Sequence, residues 1–160
     1  MPFEEKEMME ITDSSGDSDF LAFAANGKGI MIAPQSYGEP SRKVLFPEAN
    51  RFAKWMKAQH SDVQVQIARD YPALDLRGND VWMPLVYLAG RIALPVFLNI
   101  VSNYLYDRLK GKLKGDRPII HLDVRYIDMQ SRTGKSLKFK GDIQAFERTM
   151  KQLSDNNLLE

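Results

Sequence analysis

Hydrophobic and polar residues alternate along this chain with two different periods, which distinguish its helices from its strands. Apolar residues recur with helical spacing over about 47–59 and 142–153, and this spacing predicts two amphipathic helices. Strict alternation over 120–126 and 137–140 predicts two strands, each with one buried face. Because turn residues separate these two strands, we expect a hairpin at about 118–140.

A second hairpin is predicted at about 19–33. Apolar runs flank Asn26-Gly27, and both of these residues accept the positive φ of a tight turn between antiparallel strands. One further strand is expected where Val63, Val65 and Ile67 alternate with glutamines. The chain is therefore expected to combine two hairpins, one separate strand and several helices.

The longest apolar stretch covers residues 84–106 and contains Arg91 as its one charge. Its helical spacing predicts a single long helix over about 82–110, kinked or broken near Gly90 and Pro95. Polar residues line one side of its C-terminal half, which is typical of an amphipathic helix that is buried on one side. A bilayer span has no need of such a polar stripe.

These elements predict a single α+β domain over 19–153, in which helices cover a mostly antiparallel sheet. Residues 1–18 are polar and acidic, and we expect a flexible arm there and a frayed tail over 154–160. A chain of 160 residues can bury a core without disulfides, and this one has no cysteine. Together with a start that lacks the features of a secretory signal, this predicts a cytoplasmic protein.

Charge is unevenly distributed, although the net charge is only +1. Residues 1–19 are strongly acidic, whereas residues 105–141 are basic. Clustered basic side chains are a candidate surface for anionic ligands. The candidates are Arg108, Lys110, Lys112, Lys114, Lys138 and Lys140. Since the chain as a whole is almost neutral and contains no nucleic-acid-binding motif, nucleic acid is the less favoured partner.

Two short glycine motifs suggest phosphate binding, and of these Gly27-Lys-Gly29 is explained by the predicted Asn-Gly turn. The other has the wrong surroundings. Gly134-Lys-Ser resembles the end of a phosphate-binding loop, but the pattern requires glycine five positions earlier, where Met129 stands. Such a loop also joins a strand to a helix, whereas this one is predicted to join two strands. We therefore interpret it as a hairpin turn, and no cofactor is predicted.

The titratable residues do not predict a catalytic or metal site. His121 and Asp123 lie on the same side of a predicted strand, but two histidines and no cysteine are too few for a dedicated zinc site. Asp70, Asp75 and Asp80 recur in one connector, where helix capping and solvation explain them. We predict no catalytic residue, and we do not expect an enzyme.

A well-patterned fold without a catalytic motif predicts a non-enzymatic protein-interaction domain, an adaptor or accessory subunit with a protein partner or a homo-oligomeric state. One alternative is membrane association through the apolar helix 84–106 and a basic flank at 108–114, which would make the protein peripheral to a membrane. The other is weak nucleic-acid binding through 108–140. The candidate partner or membrane surface comprises Leu85, Leu88, Arg91 and Ile92.

The order of elements over about 85–153 loosely resembles small effector-associated domains of bacterial conflict systems. The likeness consists of an apolar helix, a basic helix end, a hairpin and a helix that begins Gly141-Asp-Ile. It rests on element order and includes no diagnostic motif. It implies a bacterial interaction protein and adds no site residue.

Overall fold

A computed structural model of the protein describes residues 8–68, 70–74, 80–89, 94–110, 118–128 and 131–155. These residues form four helices and eight strands. In chain order they are β1 (Met8–Asp13), α1 (Ser18–Asn26), β2 (Gly29–Ala33), β3 (Gln35–Tyr37), β4 (Glu39–Val44), α2 (Ala49–Gln59), β5 (Val65–Ile67), β6 (Val81–Ala89), α3 (Leu94–Arg108), β7 (Ile120–Ile127), β8 (Gly134–Gly141) and α4 (Ile143–Asp155).

Six strands form one mixed sheet in the order β1-β8-β7-β6-β2-β5, and β3 and β4 form a separate two-stranded sheet. Two neighbouring pairs in the large sheet are parallel, β6 with β7 and β2 with β5, and the other three are antiparallel. The α+β class is confirmed. The parallel pairs were not predicted, and they exist because α2 and α3 each connect two neighbouring strands as a crossover.

The main core lies between one face of the large sheet and helices α2, α3 and α4. It is rich in aromatic residues, and Phe52, Phe97, Tyr104 and Phe146 are almost completely buried in it. A smaller core lies on the other face, where α1 packs against β6 and β7. The sheet is therefore covered differently on its two faces.

The predictions for α2, α4 and the β7–β8 hairpin are confirmed. The strand predicted around Val63 to Ile67 is also confirmed, as β5. The helix predicted at about 142–153 begins where expected, because the Asp142 carboxylate accepts a hydrogen bond from the Ala145 amide at 2.8 Å. In these elements the period of the apolar residues was enough to identify the structure.

The prediction of one helix over 82–110 is wrong in its first part. Residues 81–89 form strand β6, and the helix is α3, over 94–108. Strand β6 lies in the middle of the sheet and is buried on both faces, so its apolar residues form a continuous run that imitates helical spacing. No helix in the described part of the chain is both long and apolar enough to cross a membrane.

Strand β6 tolerates Pro84 because the strand is irregular there. Its register with β7 shifts between Trp82 and Leu85, and proline is accepted at such a bulge. The Leu85 amide donates a hydrogen bond to Oε1 of Gln35 at 3.0 Å. Because of this bulge Met83 and Val86 both face the main core, whereas Leu85 and Tyr87 face α1.

The hairpin predicted at about 19–33 is wrong, because its first strand is helix α1. The Asp17 carboxylate caps this helix by accepting a hydrogen bond from the Phe20 amide at 3.1 Å. The Gly27 amide then bonds back to the Phe23 carbonyl, so Asn26-Gly27 ends a helix and does not turn a hairpin. Burial of Phe20 against Tyr87, with ring centroids 5.4 Å apart, stabilises the helix on the sheet.

The predicted acidic arm over 1–18 is structured in its second half. Residues 8–13 form strand β1, which pairs with β8 and places Ile11 opposite Leu137. Residues 1–7 lie outside the described residues, as do residues 156–160 of the predicted tail. An edge strand with mostly exposed side chains has the polar composition of an arm, which explains the misassignment.

Candidate functional site

One part of the large sheet carries exposed polar side chains on the face opposite α2, α3 and α4. Helix α1 packs on this face against β6 and β7, whereas Glu10 and Thr12 of β1 and Lys138 of β8 are exposed. The strand register places alternate residues of β1, β8 and β7 side by side there. We call this surface the uncovered face. Its residues are Met8, Glu10, Thr12, Trp82, His121, Asp123, Lys138 and Lys140.

An aromatic row leads from the β3–β4 hairpin onto the uncovered face. It consists of Tyr37, Phe46, Trp82 and His121, with ring centroids 6.3, 5.6 and 3.6 Å apart in that order. The parallel pairing of β6 with β7 puts Trp82 directly beside His121, and their rings are stacked. The imidazole is held by Asp80, whose Oδ2 lies 3.0 Å from His121 Nε2.

Part of the aromatic row is engaged by its own members, which reduces the number of ring faces open to a ligand. One face of the Trp82 indole is stacked on His121, and the Phe46 ring meets Trp82 at 87°. Aromatic ring edges carry partial positive charge and attract carbonyl and carboxylate oxygens. Nucleobases instead need a free aromatic face on which to stack. The stacking of Trp82 on His121 therefore leaves fewer free ring faces on which a base could stack.

Charges on the uncovered face nearly balance. Lys138 lies between Glu10 of β1 and Asp123 of β7 in the strand register. Lys140 lies between Met8 and His121, with no carboxylate at either register position. Such mixed charge is typical of the polar rim of protein interfaces. It does not produce the strong positive field that attracts a phosphate backbone.

A polar network beside the uncovered face ties the start of α1 to the sheet. The Arg125 guanidinium forms an ion pair with Asp17, and its Nη2 lies 3.8 Å from Asp123 Oδ2. The Tyr87 hydroxyl donates to Asp17 at 3.4 Å, and the Ser136 hydroxyl donates to Asp123 at 2.9 Å. The network thus joins one helix and three strands, and its geometry indicates a structural role.

Burial dominates the electrostatics of this network. It raises the pKa of the Asp123 carboxyl above its ordinary value, although Arg125 and the hydrogen bond from Ser136 act in the opposite direction. Burial also raises the pKa of Tyr87, and the nearby Asp17 carboxylate adds to this effect. Tyr87 therefore remains a neutral hydrogen-bond donor at physiological pH.

A second buried polar group lies on the other face of the sheet and connects α2 to α3. Glu48 immediately precedes α2 and accepts hydrogen bonds from the Tyr104 hydroxyl and from Arg108 Nε, the latter at 3.1 Å. Burial, together with Glu48, raises the pKa of Tyr104. Because the Glu48 carboxylate is bound by both of these α3 side chains, we interpret it as a structural connection between the helices.

Two members of the predicted partner or membrane surface lie inside the protein. Leu85 and Leu88 are buried on opposite faces of strand β6, Leu85 beneath α1 and Leu88 in the main core. Arg91 and Ile92 lie outside the described residues. In this fold Leu85 and Leu88 are therefore not available to a partner.

The predicted basic surface is divided between different parts of the molecule. Arg108 pairs with Glu48, and Lys110 is exposed after the end of α3. Lys138 and Lys140 lie together on the uncovered face, across the sheet from Arg108. The remaining two members, Lys112 and Lys114, are not among the described residues. Only Lys138 and Lys140 are shown to share a surface.

The sequence did not reveal the aromatic row, because its members are distant in the chain. Trp82 lies in a segment that was predicted to be helical, and Asp80 was interpreted as a helix cap. The sequence signals of this surface were the polar side predicted for His121 and Asp123 and the basic pair Lys138 and Lys140. Within the described ranges, no three histidine or carboxylate side chains come together in a way that would hold a metal ion.

No protein-family model matches the chain, and neither a search of curated proteins nor a search of solved structures found a significant match. Function is therefore inferred from the geometry and chemistry of the uncovered face.

Proposed function

We propose that this protein is a non-enzymatic interaction domain, an adaptor or accessory subunit that binds a protein partner through the uncovered face. The aromatic row carries this proposal. Tyr37, at its outer end, is 39% exposed, and Trp82 and His121 border charges of both signs. Partly exposed aromatic residues beside a polar rim are the usual anchors of protein interfaces.

The charge balance and the ring geometry favour a protein over a nucleic acid as the ligand. Lys138 lies between two carboxylates in the register, and one face of the Trp82 ring is already stacked on His121. The membrane alternative depended on an apolar helix over 84–106. The first part of that stretch is the buried strand β6, so its apolar side chains already pack within the protein.

Site-specific photo-cross-linking in the native cell tests this proposal. Benzoylphenylalanine at Tyr37 should yield one discrete protein adduct, because Tyr37 lies at the exposed end of the aromatic row. The matched control is Tyr106, which is 43% exposed on α3 at the opposite side of the sheet. The control should yield no adduct or a different one.

Three outcomes would contradict the proposal. They are no adduct from Tyr37, the same adducts from both positions, and an adduct that is removed by nuclease or extracted with lipid. The last outcome would replace the protein partner by nucleic acid or membrane. Because both substitutions exchange one exposed aromatic side chain for another, loss of folding is not expected at either position.

A further inference from the structure

Strand β1 forms one edge of the large sheet. It pairs with β8 on one side, and within the described residues no strand pairs with its other side. The unpaired N–H and C=O groups of an edge strand can bond to another extended chain. The opposite edge, β5, has only three residues and packs against α2. β1, with six residues, is the longer edge.

Both faces of β1 carry exposed apolar side chains. Met8 is 46% exposed and Met9 is 38% exposed, and as neighbours in a strand they point to opposite faces of the sheet. Edge strands are often protected from further pairing by a bulge or a proline. The pairing of β1 with β8 is regular over Met8–Asp13, and that segment contains no proline. An added strand would cover both methionines.

The acidic residues of β1 continue an alternation of charge across the sheet. Asp123 of β7, Lys138 of β8 and Glu10 of β1 are successive neighbours in the register, so the sign changes at each strand. Lys135 of β8 and Asp13 of β1 form a second pair of opposite charges in the register of these two strands. Opposite charges across neighbouring strands are stabilising, and like charges are destabilising. A further strand would therefore match β1 best with basic residues opposite Glu10 and Asp13.

A second copy of β1 meets this requirement poorly. Antiparallel pairing of two β1 strands would gather both Glu10 and both Asp13 side chains in one interface. The strand itself contains no basic residue that would offset them. Charge therefore favours a different protein over self-association at this edge.

We propose that β1 is a docking edge for an extended segment of a partner protein, added antiparallel to β1. The segment is apolar opposite Met8, Met9 and Ile11, and basic opposite Glu10 and Asp13. Antiparallel addition is chosen because such pairs are the more stable per residue. This inference rests on the proposed interaction function and specifies the chemistry of the partner.

Synthetic peptides titrated into the full chain test the docking edge. The probe is Lys-Thr-Val-Lys-Val-Val with blocked ends, whose residues would lie opposite positions 13 to 8. It should bind about tenfold more tightly than Glu-Thr-Val-Glu-Val-Val, because two cross-strand pairs change from attraction to repulsion. NMR shifts should be centred on residues 8–13. Methylation of the peptide nitrogens that face β1 should abolish binding.

Variants of β1 make the peptide test specific. Glu10→Gln should remove most of the preference for the basic peptide that comes from the pair at position 10, and β1 should stay paired with β8. Glu10→Lys should turn that pair's preference toward the acidic peptide. The matched control Asp62→Lys lies at an exposed position outside β1, and with it the basic peptide should still bind more tightly than the acidic one.

Equal binding of the two peptides, shifts centred elsewhere, or tighter binding of a peptide with the β1 sequence would overturn the docking edge. The two proposals fail separately. If Tyr37 cross-links a partner but the peptide does not bind, the interaction function still holds and the docking edge is wrong. If the peptide binds as expected but Tyr37 yields no partner, the edge binds peptide and the function proposed for the aromatic row fails.

Discussion

Asp123 illustrates how a single carboxyl group responds to a partly dry sheet surface. It accepts a hydrogen bond from Ser136, and Arg125 lies 3.8 Å away, yet burial raises its pKa. Loss of hydration therefore raises the pKa of Asp123 by more than Arg125 and Ser136 lower it. The charged form of Asp123 is disfavoured by the fold.

As pH rises, the Asp123→Asn variant should accordingly become more stable relative to the wild type. A carboxyl whose folded pKa lies above its ordinary value of 3.8 favours the folded state at low pH, and this contribution is lost as pH rises through the folded pKa. Urea unfolding of wild type and variant from pH 3 to 7 measures the difference in unfolding free energy. The control is Asp62→Asn, which removes a carboxyl from an exposed position and is measured over the same pH range. If the unfolding free energy of the wild type instead increased relative to that of Asp123→Asn as pH rises, the prediction would be wrong.

The position of helix α1 depends on a few polar contacts and on the small core. Asp17 caps the helix through the Phe20 amide and also forms the ion pair with Arg125. One side chain thus starts the helix and attaches it to β7. Phe20 and Tyr87 then pack edge to face in the small core.

Asp17→Ala should lower the unfolding free energy by about 2–3 kcal/mol, because it removes a helix cap and takes from a partly buried guanidinium the nearer of its two carboxylate partners. The control is Asp19→Ala in the same helix. Asp19 is exposed and lies 3.8 Å from Lys43, so its loss should cost less than about 1 kcal/mol. Denaturant unfolding measures both, and hydrogen exchange should show α1 amides opening first in the Asp17 variant. Equal costs for the two variants would show that Asp17 has no special role.

At the scale of the whole molecule, one sheet connects two cores of unequal size. Val86 and Leu88 of β6 belong to the main core, whereas Leu85 and Tyr87 of the same strand belong to the small core. The cores therefore share strands and cannot lose their packing independently. Of the two tryptophans, Trp55 in α2 packs against the main core, and Trp82 in β6 lies on the uncovered face beside His121.

Single-tryptophan variants should show that the two sides of the sheet unfold together. Trp82→Phe leaves Trp55 to report on the helix-covered side, and Trp55→Phe leaves Trp82 to report on the uncovered face. In each variant the fluorescence and far-ultraviolet circular dichroism transitions should coincide, because the cores share one sheet. A fluorescence midpoint in the Trp82 reporter that lies below the circular dichroism midpoint would indicate that this side opens separately.

The uncovered face was only partly predictable. Alternation in β7 predicted that His121 and Asp123 share a polar side, and this follows from the geometry of any half-buried strand. The stacking of His121 on Trp82 depends on the parallel pairing of β6 with β7. The sequence contains no local signal for that pairing, because a crossover helix separates the two strands.

The sequence by itself determined the elements whose apolar period has one interpretation: α2, α4, β5 and the β7–β8 hairpin. In each of them one face is buried and the other is exposed to solvent, so apolar and polar residues alternate with the period of the helix or strand. Tertiary structure alone decided β6, α1 and β1. β6 is buried on both faces, α1 ends at an Asn-Gly pair that also suits a hairpin, and β1 is an edge strand that looks like a polar arm. For these three segments, the neighbours in space settled what the local pattern left open.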